Sequence, residues 1–301
     1  MNPIRPELTP ALRDHALRVE RVLDRVLPPA GAEPRGLHTA MRYAVLGGGK
    51  RIRPMLAYGA AHGLRASIEC ADSAAAALEI IHAYSLVHDA LPAMDDDAMR
   101  RGQPTCHVKF GEALAILAGD ALQALAFAVL LTDPAGVTAP ARGVRMAAIL
   151  AQACGSGGMA GGQAIDLAAV GQQIDEAALE RMHARKTGAL IRAAVVLGAI
   201  AAGCDDSGTL QALDRYAAAV GLAFQIRDDI LDVDGETAVI GKQRGADQAR
   251  AKPTYPAILG MAAARELCEA QRSVALAALD GAGLQADQLR DLAHHAVDRG
   301  H

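Results

Sequence analysis

Apolar positions recur along most of the chain at the three- and four-residue spacing that places them on one face of an α-helix. The first such segment, residues 9–26, has Leu12, Leu17 and Val22 among its apolar positions. Strand patterns are scarce, and short breaks rich in Gly, Pro and Asp separate the segments. The other predicted helices cover residues 37–46, 72–88, 112–131, 142–154, 176–183, 189–202, 210–231 and 255–279. The pattern predicts an all-α bundle of ten or more helices.

Two of the predicted helices, 112–131 and 189–202, are apolar on nearly all sides. Such helices occupy the centre of a bundle or an interface between subunits. No linker, internal repeat or low-complexity tract divides the chain. We therefore expect residues 1–301 to form a single domain.

The composition supports helix and disfavours several classes of protein. Hydrophobic residues make up 51% of the chain but aromatic residues only 3%, so Ala and Leu, the strongest helix formers, dominate. A net charge of −4 argues against nucleic-acid binding. The cleanest apolar run, 193–204, is too short to cross a bilayer, and the N-terminus lacks the apolar core of a signal peptide. Five scattered cysteines without CxxC spacing predict a reduced, cytoplasmic location.

An acidic cluster lies in the helical segment 224–232, FQIRDDILD. Asp228 and Asp232 are one turn apart, and Asp229 lies near the same face. No basic residue at i±4 neutralises them, so a counterion is expected. Carboxylate oxygens suit a hard cation such as Mg²⁺, especially where phosphate supplies further ligands.

A second acidic cluster lies in segment 88–102, HDALPAMDDDAMRRG. Asp89 and Asp95 would point about 120° apart on an ideal helix. Pro92 cannot continue a regular helix, so the chain loosens there and Asp95 can turn toward Asp89. Either cluster alone is equally compatible with a solvated helix start; the occurrence of two in apolar surroundings favours a metal site.

Cations lie near several breaks between helices. Lys50, Arg51 and Arg53 follow a triple glycine at 47–49, which resembles a phosphate cradle but lacks the GxxxxGK[ST] pattern of a P-loop. A glycine helix stop followed by surface cations is the simpler interpretation of that segment alone. Further cations near breaks are Arg100, Arg101, Lys186, Lys242 and Lys252. Together with the acidic clusters they suit metal-bridged diphosphate chemistry.

At these segments the sequence resembles the trans-isoprenyl diphosphate synthases of the polyprenyl synthetase family, in particular the bacterial farnesyl diphosphate synthases. The matching segments follow the family's order over roughly residues 35–260 and include LGGGKRIRP (46–54), GGQAIDL (161–167) and GLAFQIRDDILDVDGE (221–236). The resemblance implies an isoprenoid synthase-like bundle around a central cavity and a homodimer. It also implies an Mg²⁺-dependent prenyltransferase that makes (2E,6E)-farnesyl diphosphate from isopentenyl diphosphate and dimethylallyl or geranyl diphosphate.

The resemblance further implies roles for individual residues. Isopentenyl diphosphate would be held by Lys50, Arg53, His82 and Arg101. The allylic diphosphate or its departing pyrophosphate would contact Arg100, Lys186, Thr187, Gln225, Lys242 and Lys252. Three Mg²⁺ ions would be bound through Asp89, Asp95, Asp228 and Asp232. Of all these, the residues expected to carry catalysis are Asp89, Asp95, Arg100, Lys186, Asp228 and Lys242.

Product length is expected to depend on the helix before Asp89. By resemblance, Tyr84 would close the floor of a cavity of farnesyl length. An ideal helical wheel places Ser85 rather than Tyr84 below Asp89, so an ordinary core tyrosine is the alternative.

The sequence departs from the family pattern near these motifs. Ala90 replaces the second Asp of DDxxxxD, and Ala98 stands where Asp is common. Arg227 and Pro253 stand where Gln and Ser are common. Because the first and last aspartates of the motif remain, we expect a working but weakened enzyme. The alternatives are a geranylgeranyl diphosphate synthase, a class I terpene cyclase, which would not need the isopentenyl diphosphate residues, and a non-catalytic partner subunit.

Overall fold

Helices form nearly all the regular structure of the described residues. The computed structural model describes residues 8–133, 139–234 and 252–299. The first helices are α1 (Pro10–Val26), α2 (Arg35–Leu46), α3 (Ile52–Gly63), a 3₁₀ turn (Ile68–Ala71) and α4 (Asp72–Asp89). A short antiparallel hairpin, β1 (Met99–Arg100) and β2 (Gln103–Pro104), precedes α5 (Cys106–Phe110), α6 (Glu112–Thr132), α7 (Pro140–Cys154) and α8 (Met159–Ala169). The rest comprises α9 (Glu176–His183), a π turn (Ala184–Gly188), α10 (Ala189–Ala201), α11 (Ser207–Asp234), α12 (Tyr255–Leu259), α13 (Met261–Leu279) and α14 (Asp287–Asp298).

The predicted all-α class is confirmed, and most predicted helices match within two residues at each end. The segment 255–279 was wrongly predicted as one helix. Gly260 breaks it by adopting φ = 82°, a left-handed conformation that favours glycine. Helices α3, α5, α8 and α14 were not predicted. That residues 1–301 form a single domain stays a prediction.

The centre of the bundle is built around α4 and α10. Thirteen residues of α4 and ten of α10 are buried. The apolar segment 189–202 therefore lies in the centre of the bundle, which is one of the two locations predicted for it. Helix α10 packs very closely on α3, because Gly198 lies directly against the carbonyl of Ala57. A Cβ at position 198 would overlap that backbone oxygen.

Helix α6 differs from α10, since it buries only one face. Ala115, Ala118 and Leu122 are buried, whereas Ile116 and Leu117 are 44% and 54% exposed. Among the described helices, α6 alone has the length and hydropathy of a membrane-spanning helix, although core helices of water-soluble proteins often have both. Helix α6 is therefore not enclosed in the core on all sides, in contrast to α10.

We predict that Gly198→Ala destabilises the fold by about 1–3 kcal/mol, because the added methyl group must push α10 away from α3. Chemical denaturation measures the change. Gly31→Ala is the matched control, since a Cβ there meets no atom within 4 Å. Equal unfolding free energies for the two variants would contradict the prediction.

Candidate active site

The chain turns back on itself after α4, as the position of Pro92 led us to expect. Asp95 N donates to Asp89 O at 2.8 Å, and Asp97 N donates to Ala90 O at 3.2 Å. Asp96 takes a left-handed φ of 51° within this turn. The backbone therefore returns Asp95 to the end of α4 that carries Asp89.

Asp95 is joined to a buried carboxylate through Lys252. Lys252 Nζ lies 2.9 Å from Asp95 Oδ1 and 3.3 Å from Asp166 Oδ2, and Asp166 also accepts a hydrogen bond from Lys186. Burial alone would raise the pKa of Asp166, but the two lysines outweigh it and lower this pKa below its usual value. Asp166 thus stays ionised and holds both lysines. Its segment, GGQAIDL, belongs to the resemblance to the family, but the sequence alone did not indicate a role for Asp166.

Asp89 has polar neighbours on two further elements. Gln163 Nε2 on α8 donates to Asp89 Oδ1 at 3.2 Å. Arg100 Nη2 lies 3.9 Å from Asp89 Oδ2 and 3.2 Å from Asp97 Oδ2. The side chain of Asp89 is 13% exposed. Gln163 is a second residue that sequence analysis missed, although it too belongs to the GGQAIDL segment.

The acidic cluster of segment 224–232 adjoins that of segment 88–102 through the π turn. Thr187 Oγ1 donates to Gln225 Oε1 at 3.0 Å, and Gln225 Nε2 donates to Asp229 Oδ1 at 2.9 Å. Asp229 Oδ2 accepts from Tyr255 N at 3.0 Å, so this buried aspartate is tied to protein groups on both sides. Because Lys186 precedes Thr187 in the π turn, the hydrogen bonds of the two acidic clusters meet at this turn.

Asp228 lies beside the C-terminal segment. Its side chain is 45% exposed, and Arg299 Nη2 lies 2.9 Å from its Oδ1. The guanidinium of Arg299 is fully buried and stacks 3.6 Å from the ring of Phe224. Arg227 fixes the same segment by donating to Arg299 O from Nε and Nη2, at 2.9 and 2.8 Å. This contact explains Arg227, and sequence analysis missed Arg299 because no local pattern links residues 70 positions apart.

Asp232 is nearly buried, with 6% of its surface exposed. Lys242 lies outside the described residues, so no position is assigned to it. Pro253 adjoins Lys252, and nothing in the structure explains its replacement of Ser.

A cluster of cations surrounds His82. Burial, followed by Arg53 and Arg101, holds the pKa of His82 well below its usual value, so the imidazole is neutral. Arg101 donates to Gly48 O, and its guanidinium carbon would lie 2.8 Å from a Cβ at position 49. Gly49 therefore has to be glycine for Arg101 to reach this place. Arg53 Nε is buried without a hydrogen-bond partner among the described residues.

Arg51 does not point into this cluster. Its buried guanidinium pairs with Glu20 and Glu79, at 2.7 and 2.6 Å, and donates to Val45 O at 2.7 Å. Arg51 therefore fixes the start of α3. The partly buried Lys50 and Arg53 precede and follow Arg51 along the chain.

The two candidate chain-length residues are both buried on α4. Tyr84 is 7% exposed and Ser85 is 6% exposed. Ser85 Oγ donates back to His82 O at 2.9 Å, so its hydroxyl is satisfied within its own helix. Tyr84 instead reaches α6, where Gln123 Nε2 donates to its hydroxyl at 3.1 Å.

Several lines of similarity connect the chain to known proteins. The sequence profile of the polyprenyl synthetase family matches residues 34–291. The chain is 53% identical over 249 residues to a farnesyl diphosphate synthase of Escherichia coli (strain K12), which covers 83% of each chain. It is 45% identical over 252 residues to geranylgeranyl pyrophosphate synthase 11, chloroplastic, of Arabidopsis thaliana, which covers 83% of this chain and 70% of the relative.

Solved structures agree with these similarities. A putative farnesyl-diphosphate synthase from Marinomonas sp. MED121 superimposes with a TM-score of 0.81 at 42% identity, covering 96% of this chain and 98% of that chain. A geranyltransferase from Helicobacter pylori, complexed with magnesium and isoprenyl diphosphate, has a TM-score of 0.82 at 30% identity and covers 97% of each chain.

We predict that Asp166→Asn lowers kcat about ten- to a hundredfold, because Lys186 and Lys252 lose the carboxylate that orients them. Steady-state kinetics with the two diphosphate substrates measures the effect, and circular dichroism checks the fold. Asp280→Asn, which breaks an exposed pair with Arg290, should leave kcat unchanged. Full activity of a folded Asp166→Asn variant would show that this carboxylate does not support the site.

Proposed function

This chain belongs to the polyprenyl synthetase family, and on that basis we propose that it condenses isopentenyl diphosphate with dimethylallyl or geranyl diphosphate to give (2E,6E)-farnesyl diphosphate. The supporting observation is the network that joins Asp95 to Lys252, Asp166 and Lys186 beside the neutral His82 and its arginines. Carboxylates and cations in one place can bind a diphosphate both directly and through a metal ion.

The residues proposed to hold isopentenyl diphosphate are hydrogen-bond donors that are either positively charged or neutral. These residues are Lys50, Arg53, His82 and Arg101. Arg53 has a buried Nε to offer, and a neutral His82 can donate one N–H to a phosphate oxygen. Arg101 holds a left-handed φ of 54°, a strained conformation of the kind that occurs at binding sites.

A second set of donors is proposed to hold the allylic diphosphate and its departing pyrophosphate. These residues are Arg100, Lys186, Thr187, Gln225, Lys242 and Lys252. Lys186 and Lys252 are paired with Asp166 and Asp95 in this structure, so a diphosphate would compete with those carboxylates for the same ammonium groups. Their cationic charge then stabilises the negative charge that develops as pyrophosphate leaves.

The donor set fits magnesium. Among the described residues, no three His, Cys, Asp or Glu side chains stand close enough to chelate a metal ion by themselves. Mg²⁺ is commonly held by one or two carboxylates together with substrate phosphates, and Asp89, Asp95, Asp228 and Asp232 provide such carboxylates. We propose three ions per site. When bound, they would neutralise part of the negative charge on the leaving diphosphate.

In the proposed reaction the allylic C–O bond breaks and its electron pair leaves with pyrophosphate. The double bond of isopentenyl diphosphate then forms the new C–C bond, and the resulting cation loses a proton to a pyrophosphate oxygen. Water would quench the cation, so the apolar residues near Asp89 have to exclude it. Ala83, Tyr84 and Val87 on α4 are buried and supply such a wall.

The chain is also proposed to act as a homodimer in the cytoplasm, without nucleic acid or a membrane span. The exposed apolar face of α6, which includes the adjacent residues Ile116 and Leu117, supports a subunit contact because contiguous exposed apolar surface favours burial.

The purified chain, incubated with Mg²⁺, labelled isopentenyl diphosphate and geranyl diphosphate, should yield a C15 diphosphate, identified by chromatography after dephosphorylation. Chelation by EDTA should abolish turnover. A C20 main product would favour the geranylgeranyl alternative, and a cyclic hydrocarbon would favour a cyclase. No turnover with Mg²⁺ present would favour a non-catalytic partner subunit.

We further predict that Ala90→Asp raises kcat about tenfold, because it restores an acidic residue next to Asp89 that orients metal-bound groups. Ala90 is 1% exposed, so urea denaturation should be measured in parallel to detect any cost of burying the carboxylate. Ala93→Asp, at an exposed position of the same turn, is the control. Unchanged or reduced activity in a folded Ala90→Asp variant would contradict the expectation.

A further inference from the structure

The hydroxyl of Tyr84 is held by a residue that the proposed reaction does not use. Tyr84 projects from α4 and is buried, whereas Gln123 lies on the exposed face of α6. Gln123 Nε2 donates to Tyr84 Oη at 3.1 Å across the contact between the two helices. A buried tyrosine hydroxyl requires a partner, and this one fixes the far end of the ring relative to α6.

His88 holds the ring of Tyr84 from a second side. The two rings meet edge to face, with centroids 5.9 Å apart. His88 Nε2 lies 3.0 Å from Ile116 O on α6, and Gly119 makes room for the imidazole, since a Cβ there would overlap it. Ile116, Gly119 and Gln123 form one stripe along α6. One face of α6 therefore restrains both Tyr84 and His88 of α4.

We infer that Gln123 is a specificity-determining positioning residue, which fixes the Tyr84 phenol as the barrier that stops chain growth at C15. The inference rests on the proposed function, because it concerns the length at which that synthesis ends. Tyr84 lies about 7.5 Å along the axis of α4 from Asp89. Under the proposed chain-length role of Tyr84, a prenyl chain that grows from Asp89 along α4 would meet the phenol, and a phenol free to turn aside would leave room for one more isoprene unit.

The size of the effect follows from the strength of one hydrogen bond. Loss of one hydrogen bond between two neutral groups changes an equilibrium constant by about fivefold. Loss of the Gln123–Tyr84 bond should therefore raise the ratio of C20 to C15 product about fivefold. Overall turnover of the Gln123 variants should change little, because Gln123 is proposed to touch neither a diphosphate nor the prenyl chain.

The experiment compares the products of the full-length enzyme and four variants, supplied with Mg²⁺, geranyl diphosphate and excess labelled isopentenyl diphosphate. Gln123→Leu removes the amide at similar size, and Tyr84→Phe keeps the ring but removes the hydroxyl. Each should raise the C20 to C15 ratio about fivefold, and the double variant should give the same ratio as either single variant. Gln123→Glu should restore the parent ratio, since a carboxylate can accept the hydrogen bond from the tyrosine hydroxyl.

Ala124→Leu is the control for added apolar surface on α6, because position 124 is exposed on the same helix. Its product ratio should equal that of the parent enzyme. The inference is overturned if Gln123→Leu and Tyr84→Phe keep the parent ratio, or if their effects add in the double variant. Absence of any C15 product from the parent enzyme would instead refute the proposed function, and the inference with it.

Discussion

The candidate site depends on the mutual neutralisation of carboxylates and lysines in a poorly solvated place. Asp166 is 6% exposed, and a lone ionised carboxylate there would be costly. Lys186 and Lys252 offset that cost by donating hydrogen bonds to the Asp166 carboxylate, and Lys252 also donates to Asp95. Four charged groups from four separate parts of the chain thus stabilise one another before any substrate arrives. This charge balance fixes the ammonium groups where a diphosphate would need them.

The same constraint shapes the cationic side of the site. Arg51 and Glu79 are both buried and pair at 2.6 Å, so the charge of each is satisfied inside the fold. Coulombic repulsion from the neighbouring arginines adds to burial in keeping His82 neutral. In contrast, the buried Nε of Arg53 has no hydrogen-bond partner among the described residues. Structural charge pairs are satisfied internally, and the groups proposed to bind ligand retain hydrogen-bonding capacity.

The helices were largely predictable from sequence. A helix that buries one face has apolar residues at a regular spacing, and a helix that is buried on all sides is a continuous apolar segment. The exceptions have local causes. Gly260 divides one predicted helix through a backbone angle that apolar spacing does not reveal. Residues 159–169 are rich in Gly and Ala, so the periodicity of α8 is weak even though the helix carries Gln163 and Asp166. Two of the missed site residues, Gln163 and Asp166, therefore lie on an element that the pattern failed to predict.

The sequence by itself determined the all-α class, the acidic clusters and the resemblance to a family, since each is carried by residue types at short spacing. It also predicted the turn at Pro92, because proline geometry is a local property. Only the tertiary structure decided that Arg51 is a structural cation, that Arg227 and Arg299 fix the C-terminal segment beside Asp228, and that Gln123 reaches Tyr84. Those contacts join residues that are distant along the chain. They depend on how the helices pack, which no local pattern encodes.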